Sequence, residues 1–304
     1  MRYELSTADR AALPDSYVRQ PRYLKYRDAD QAKPYAKYFR AATRPVPEHV
    51  VHALVGGMAP AEYGYGVEEA ADRITRPGYE HLESGWTRLS SGVVMVGVLT
   101  PMPGVTAEMW DWWFGRHSTE SARCKLWFPD AHQYAALGED RGADRTLTDR
   151  QRYVGNVSHV DEYIGGRLQK LAIRFLDPEK MGILASSGST HICARVTLST
   201  HPVAIGRLIH QVRPTDDGAE MRSRFFLNDT GILDLPTRSL SPSADGRALA
   251  SPMGRRIGRT ALPVLAPRLM PSTLGTDMLH HCASEMNHLA GFLPQLYEEF
   301  RGTP

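Results

Sequence analysis

Residues 276–301 read TDMLHHCASEMNHLAGFLPQLYEEFR. Met278, Leu279, Cys282, Met286, Leu289, Phe292, Leu293 and Leu296 recur at helical spacing, which predicts a long terminal helix with one buried face. Thr276 is placed to cap it, and Asp277 puts a negative charge in the first turn, where the helix dipole favours one. Pro294 removes a backbone donor and should kink the last turns. His281, Glu285 and His288 stand at i, i+4 and i+7, so they project from one side of the helix. An imidazole and a carboxylate one turn apart can hold a divalent metal. They can equally be a helix-surface pair, and His-x-x-x-Glu is too short a pattern to decide. Further ligands must come from elsewhere in the chain.

Working outward, 304 residues suit one large domain or two modest ones. Charged residues make up 23% and hydrophobic residues 42%, the balance of an ordinary globular protein. A net charge of +2 argues against a dedicated nucleic-acid binder. No stretch approaches the ~20 apolar residues that span a bilayer. The first residues, MRYELSTADRAALPDSY, lack an apolar signal core, so the expectation is a cytoplasmic protein with no membrane partner. Cys124, Cys193 and Cys282 are scattered and fit a reduced compartment.

Residues 1–85 are rich in Tyr, Arg and Pro, with helix patterns in HVVHALVGGM and VEEAADRIT. They are expected to form a small, mainly helical arm that supports dimerisation. The pattern changes after Trp86. SSGVVMVGVLT, 90–100, is β-branched and reads as a strand. TAEMWDWWFGRH, 106–117, reads as a helix whose Trp110, Trp112, Trp113 and Phe114 are core or a pocket wall for an aromatic ligand. KLWF, 125–128, reads as extended, with His132 in a following loop, and 136–152 as a polar surface excursion.

From 153 the chain reads as an antiparallel sheet. LAIRF and ICARVTL alternate cleanly, and VAIGRLIHQVRP and AEMRSRFFLND flank a TDDG turn as a hairpin. Glu162 and His210 fall on strands, where pointing inward would make them cavity residues. Asp161, adjacent to Glu162, should face the opposite side. Residues 230–275 are rich in Pro, Ser and Arg and read as a long covering loop or a solvated insertion. Strands, a covering segment and a long C-terminal helix give an α+β fold: a curved antiparallel sheet wrapped on one helix, a helix-grip arrangement. The two parts are 1–85 and 86–304.

MWDWWFGRH at 109–117, KLWFPDAH at 125–132, HVDEYIGG at 159–166, RLIHQVR with GAEMRSRFF at 207–226, and HHCASE at 280–285 together resemble the 2,4-diacetylphloroglucinol hydrolase family, which includes phloretin hydrolase. The resemblance implies a zinc-dependent hydrolase that cuts the carbon–carbon bond between an aromatic ring and an acyl group. It implies a Bet v 1-like helix-grip domain, a homodimer joined through the N-terminal part, and an acylated phenol as substrate. The family's zinc ligands, two histidines and two glutamates, fall on His132, Glu162, His281 and Glu285. Within the helix, His288 and His280 are the rivals. Nitrogen and oxygen donors without thiolate suit zinc, and also Mn, Co or Fe.

The sequence departs from the family pattern in its pocket. Cys124 stands where the antibiotic hydrolase has a tyrosine, Ala135 where it has an asparagine, and Phe225 or Phe226 where it has a further tyrosine. The pocket histidine is kept as His210. The implied reaction needs a proton delivered to the acyl-bearing ring carbon; His210 is the first candidate, with Tyr134 and Tyr163 behind it. Trp110 and Trp113 are expected to wall the ring. The rival from another class is a metal-free helix-grip binder of hydrophobic or phenolic molecules.

Overall fold

The computed structural model describes residues 5–184, 186, 188–235 and 243–303. Its frame is one eight-stranded antiparallel sheet: β1 (Gly85–Arg88), β2 (Val94–Pro103), β3 (His132–Leu137), β4 (Val157–Ile164), β5 (Arg167–Leu176), β6 (Thr190–Leu198), β7 (Val203–Thr215) and β8 (Gly218–Ile232). The spatial order is β1-β2-β8-β7-β6-β5-β4-β3. Helix Leu274–Ala290 lies along β1 and β2 and also reaches β4, so both ends of the curled sheet meet it. This is the helix-grip arrangement. Leu279, Cys282, Ala283, Met286 and Leu289 are fully buried against the sheet, as their spacing predicts. Burying a large aliphatic side chain stabilises by about 1.5–3 kcal/mol, so this one face anchors the fold.

Strand periodicity sets the rest. Ser158, Val160, Glu162 and Ile164 of β4 line the space under the helix. His159 and Asp161 face the other way, and Asp161 accepts from Tyr17 Oη at 2.9 Å and Arg22 Nε at 3.0 Å. The N-terminal segment packs helix Val67–Thr75 on the outer face with Ala70 and Ile74, and helix Glu48–Gly56 against β1 and the grip helix. Its tyrosines are engaged within the chain: Tyr26 Oη donates to the Lys125 carbonyl at 2.8 Å and Tyr38 Oη to Glu299 at 2.9 Å.

Several local expectations are corrected. The terminal helix is two helices, Leu274–Ala290 and Leu293–Phe300, broken at Gly291–Phe292. Pro294 therefore sits in a first turn, where a missing donor costs nothing. Thr276 lies inside the helix rather than at its cap, and its hydroxyl donates to the Thr273 carbonyl at 2.8 Å. KLW belongs to a helix, Ser121–Trp127, and His132 opens a strand instead of sitting in a loop. Within 136–152, residues 136–137 end β3, and a short helix, Asp149–Tyr153, closes the excursion. The covering segment contains helices Ala244–Ala250 and Pro252–Leu269; Pro263 and Pro267, which hid the second helix, are both inside it. Residues 236–242 of that segment lie outside the described residues.

Candidate metal centre

Strand pairing builds one half of the site. His132 of β3 is the register partner of Glu162 of β4. Both side chains point under the grip helix, which brings His281 and Glu285 on one face, four residues apart. His132 Nε2 stands 3.3 Å from Glu162 Oε2 and 3.6 Å from Glu285 Oε2. His281 Nε2 stands 3.9 Å from each of the same carboxylate oxygens. Ligand atoms of His132, Glu162 and His281 all fall within 4.8 Å of one another. A tetrahedral ion with bonds of about 2.0–2.2 Å holds its ligand atoms roughly 3.3–3.6 Å apart, so the spacing fits a metal.

The hydrogen bonds behind the ligands fit as well. His132 Nδ1 donates to the Cys124 carbonyl at 2.9 Å and His281 Nδ1 to the Tyr163 carbonyl at 3.0 Å. Each bond fixes the tautomer and leaves an Nε2 lone pair aimed at the cluster. His132 Nε2 is buried without a hydrogen-bond partner in the protein. Phe128, with its ring 5.0 Å from His281 and 5.8 Å from His132, supplies an apolar flank. Burial pushes the Glu285 carboxyl up to about 8; His132 opposes this and the Glu162 charge adds to it. Burial would lower the His132 imidazole, yet Cys124 and Glu162 raise it well above its ordinary value, and burial would raise Glu162, yet His132 and His281 hold it below its own. One carboxylate is thus answered from within the metal-free chain, and Glu285 is left without a countercharge of its own, which a divalent cation would supply.

The cluster opens into a cavity of about 360 Å³ between sheet and helix. Its inner end holds Phe114, His117, Trp127, Ser158, His210 and Phe225, all buried. Its outer end is framed by the exposed Arg167 and the half-buried Arg207, Met270 and Pro271, so the covering segment does reach the mouth. Cys124 lines the wall beside His132. His210 Nδ1 lies 2.8 Å from Ser223 Oγ, and its ring is 5.5 Å from Phe225. Burial pushes the His210 imidazole down to about 3, so it is neutral at ordinary pH and does not begin as an acid.

Other sequence candidates fall away from this cavity. Trp110 and Trp113 are core: Trp110 Nε1 donates to Met102 Sδ at 3.1 Å, and Trp113 stacks on His117 at 5.7 Å. Phe114 and Trp127 take the wall positions instead. Phe226 lies on the outer face with Tyr65 and Met95, because neighbouring strand residues alternate faces. Tyr134 turns to the N-terminal segment, its hydroxyl 3.1 Å from Ser16 Oγ and its ring under Arg22. A register irregularity between His132 and Tyr134 accompanies that turn. Tyr163 joins His280 in a separate cleft, and His288 Nδ1 accepts from the Arg44 backbone at 3.1 Å. His117 and Ser158 were not singled out from the sequence. Ser158 was reachable, since it is four residues from Glu162 on one strand and so shares its face.

The family described as the DAPG hydrolase PhiG domain matches residues 67–298. The 2,4-diacetylphloroglucinol hydrolase of Pseudomonas protegens is 32% identical, covering 99% of this chain and 96% of that protein. The phloretin hydrolase of Eubacterium ramulus is 26% identical, covering 88% of this chain and 91% of its own. Among solved structures, Ara h 8.0201 aligns with 67% of this chain and 99% of that one, at 10% identity and a TM-score of 0.36. With its match running across the whole sheet and the whole grip helix, this chain belongs to the DAPG hydrolase PhiG domain family.

Proposed function

We propose that this protein is a zinc-dependent hydrolase that cleaves the carbon–carbon bond between a phenolic ring and its acyl group. The reaction is 2,4-diacetylphloroglucinol to monoacetylphloroglucinol plus acetate, or the same cut on a related acylphloroglucinol. The observation that carries it is the buried convergence of His132, Glu162, His281 and Glu285 at the wall of an apolar cavity. The names of the two relatives, both hydrolases of acylated phenols, support the same reading.

The four side chains would hold the ion, and zinc there supplies carbonyl polarisation and a water whose pKa falls to about 7. The chain's own residues do the rest. Phe114, Trp127 and Phe225 give the ring an apolar, water-poor seat. His210, neutral and held at Nδ1 by Ser223, takes a proton from a ring hydroxyl and returns it to the acyl-bearing carbon. That transfer turns the phenol into a ketone, so the carbon that must leave departs as a stabilised enolate. Water adds to the side-chain carbonyl, the carbon–carbon bond breaks, and the ring regains aromaticity. Cys124 and Phe225, in place of hydroxyl-bearing residues, thin the pocket's polar contacts and widen its range to acylated phenols beyond the antibiotic itself.

The residues named earlier as general acids are reassigned: His210 shuttles a proton, while Tyr134 and Tyr163 stand outside the reaction cavity. A homodimer is part of the same proposal. Val51 and Val55 of helix Glu48–Gly56, with Met58 just beyond it, are exposed apolar side chains of the N-terminal segment, suited to pairing. So is a cytoplasmic location, with no nucleic-acid or membrane partner. The net charge is +2, and no helix among the described residues is long and apolar enough to cross a membrane. The test is a panel of acylphloroglucinols offered to the zinc-loaded protein. Release of a carboxylic acid and the deacylated phenol is expected, and no release from any member would sink the reading.

A further inference from the structure

Along the inner wall of the cavity runs a short chain of hydrogen bonds that begins and ends at lining residues, His117 and Ser158. His117 Nδ1 is 3.1 Å from the Trp113 carbonyl, and a carbonyl only accepts, so Nδ1 carries the proton. His117 Nε2 then holds a lone pair, and Ser118 Oγ, 2.8 Å away, donates to it. With that proton committed, Ser118 Oγ accepts from Ser158 Oγ at 2.7 Å. The direction of each bond is fixed by the one before it. His117, Ser118 and Ser158 are each at most 3% exposed. Burial pushes the His117 imidazole down to about 3, which keeps Nε2 an acceptor at working pH.

The chain ends at the cavity. Ser158 lines it, on the same strand face as Glu162 and beside the apolar Val160 and Ile173. Its one proton points away, so what it offers the cavity is an acceptor oxygen. No donor among the described residues is recorded on it. A buried acceptor set in hydrocarbon is costly unless a donor arrives. Four residues along a strand, at about 3.4 Å each, separate Ser158 from Glu162, a span of roughly 14 Å. One aromatic ring, its hydroxyl and the ligand bonds at the cluster bridge a gap of that order.

We propose that Ser158 is a substrate-binding residue that accepts a hydrogen bond from the ring hydroxyl remote from the acyl group, with Ser118 and His117 as positioning residues that set its direction. Ser158 thereby selects polyhydroxylated rings over less hydroxylated aryl ketones. It restores on β4 a polar contact of the kind missing where Cys124 and Phe225 stand. The inference rests on the hydrolase reading only for the acyl part of the ligand; ring recognition stands by itself.

The experiment uses the zinc-loaded full chain and Ser158→Ala, with two readouts. Calorimetry measures binding of phloroglucinol, the ring without an acyl group. Hydrolysis compares 2,4,6-trihydroxyacetophenone with 2,6-dihydroxyacetophenone, which lacks the remote hydroxyl. Ser158→Ala should weaken phloroglucinol binding about tenfold and lower the trihydroxy-to-dihydroxy ratio of kcat/KM by roughly 10- to 50-fold, mainly through KM. Ser118→Ala frees the Ser158 proton and should give a smaller fall in that ratio, and none in the Ser158→Ala background. Unchanged phloroglucinol binding in Ser158→Ala would overturn the inference, as would an equal loss on both ketones. If the wild type hydrolyses neither ketone yet its phloroglucinol binding depends on Ser158, the inference stands and the hydrolase reading falls.

Discussion

Two groups of buried charges sit on opposite faces of the same sheet. On the outer face, Glu83 accepts from Arg222 at 2.6 and 3.1 Å, and from Arg224, which also donates to Tyr65 Oη at 3.0 Å. Gln211 Oε1 and the Ile74 carbonyl take the remaining Arg222 donor. Every charge there has an internal answer. On the inner face, the Nδ1 protons of His132 and His281 go to backbone carbonyls, and His132, raised well above its ordinary value, answers Glu162 but leaves Glu285 without a partner charge. Burial would raise the Glu83 carboxyl, yet Arg222 and Arg224 outweigh it and hold it at about 2. Burial raises Glu285 to about 8 with nothing comparable to oppose it. The contrast separates a structural network from a site: what differs is whether the chain's own countercharge covers every buried carboxylate, and at Glu285 it does not.

The contrast breaks most sharply at the cluster. His132→Ala should lower hydrolysis by on the order of a thousandfold or more while the protein still folds, because one ligand and its share of the metal's charge are lost. Activity on the acylphloroglucinol panel, read beside a melting curve, checks it. A smaller step is His210→Gln, which keeps a polar side chain but cannot shuttle the proton. An expected fall of about 10²–10⁴ in kcat with zinc content unchanged would separate proton transfer from metal binding.

On the outer face the expected effect is on stability. Glu83→Gln leaves two buried guanidinium groups without their carboxylate, a cost of about 3–5 kcal/mol by denaturant titration. The carboxyl is held at about 2, below its ordinary 4.5, so its stabilisation is fully present above 4.5 and is lost as pH falls from there toward 2. The mutant and wild-type curves should converge over that window, and zinc content should be untouched. Smallest of all is Tyr134→Phe. It removes one hydroxyl contact to Ser16, should cost roughly 0.5–1.5 kcal/mol, and should leave kcat/KM unchanged.

The fold was legible where one period dominated. The apolar repeat of Met278 to Leu289 stays on a helix, and the stretches read as strands are β5, β6, β7 and β8, although long runs of them are buried on both faces. Where two rules competed, the sequence reading lost. Pro263 and Pro267 spoke for a loop, yet the chain stays helical through both. Lys125, Leu126 and Trp127 are too few to show a period, and packing of Trp127 against Trp110, Trp113 and Phe114 decides for helix. For the site, motif matching put four ligand residues in reach, but their convergence depends on the His132–Glu162 register, which no local pattern encodes. Alternation correctly turned Asp161 outward. The same rule applied to β8 distinguishes Phe225 from Phe226, and applied to β4 finds Ser158.

The most direct measurement is metal content per chain by elemental analysis of the purified wild type and of Glu285→Ala, each after incubation with zinc and removal of excess. The inner cluster predicts about one zinc per folded wild-type chain and its loss in the mutant at unchanged melting behaviour of the zinc-free proteins. Wild-type protein that holds no zinc would show that the buried carboxylates need no external countercharge. It would also leave the helix-grip cavity as a binding site for phenolic or hydrophobic molecules rather than an active site.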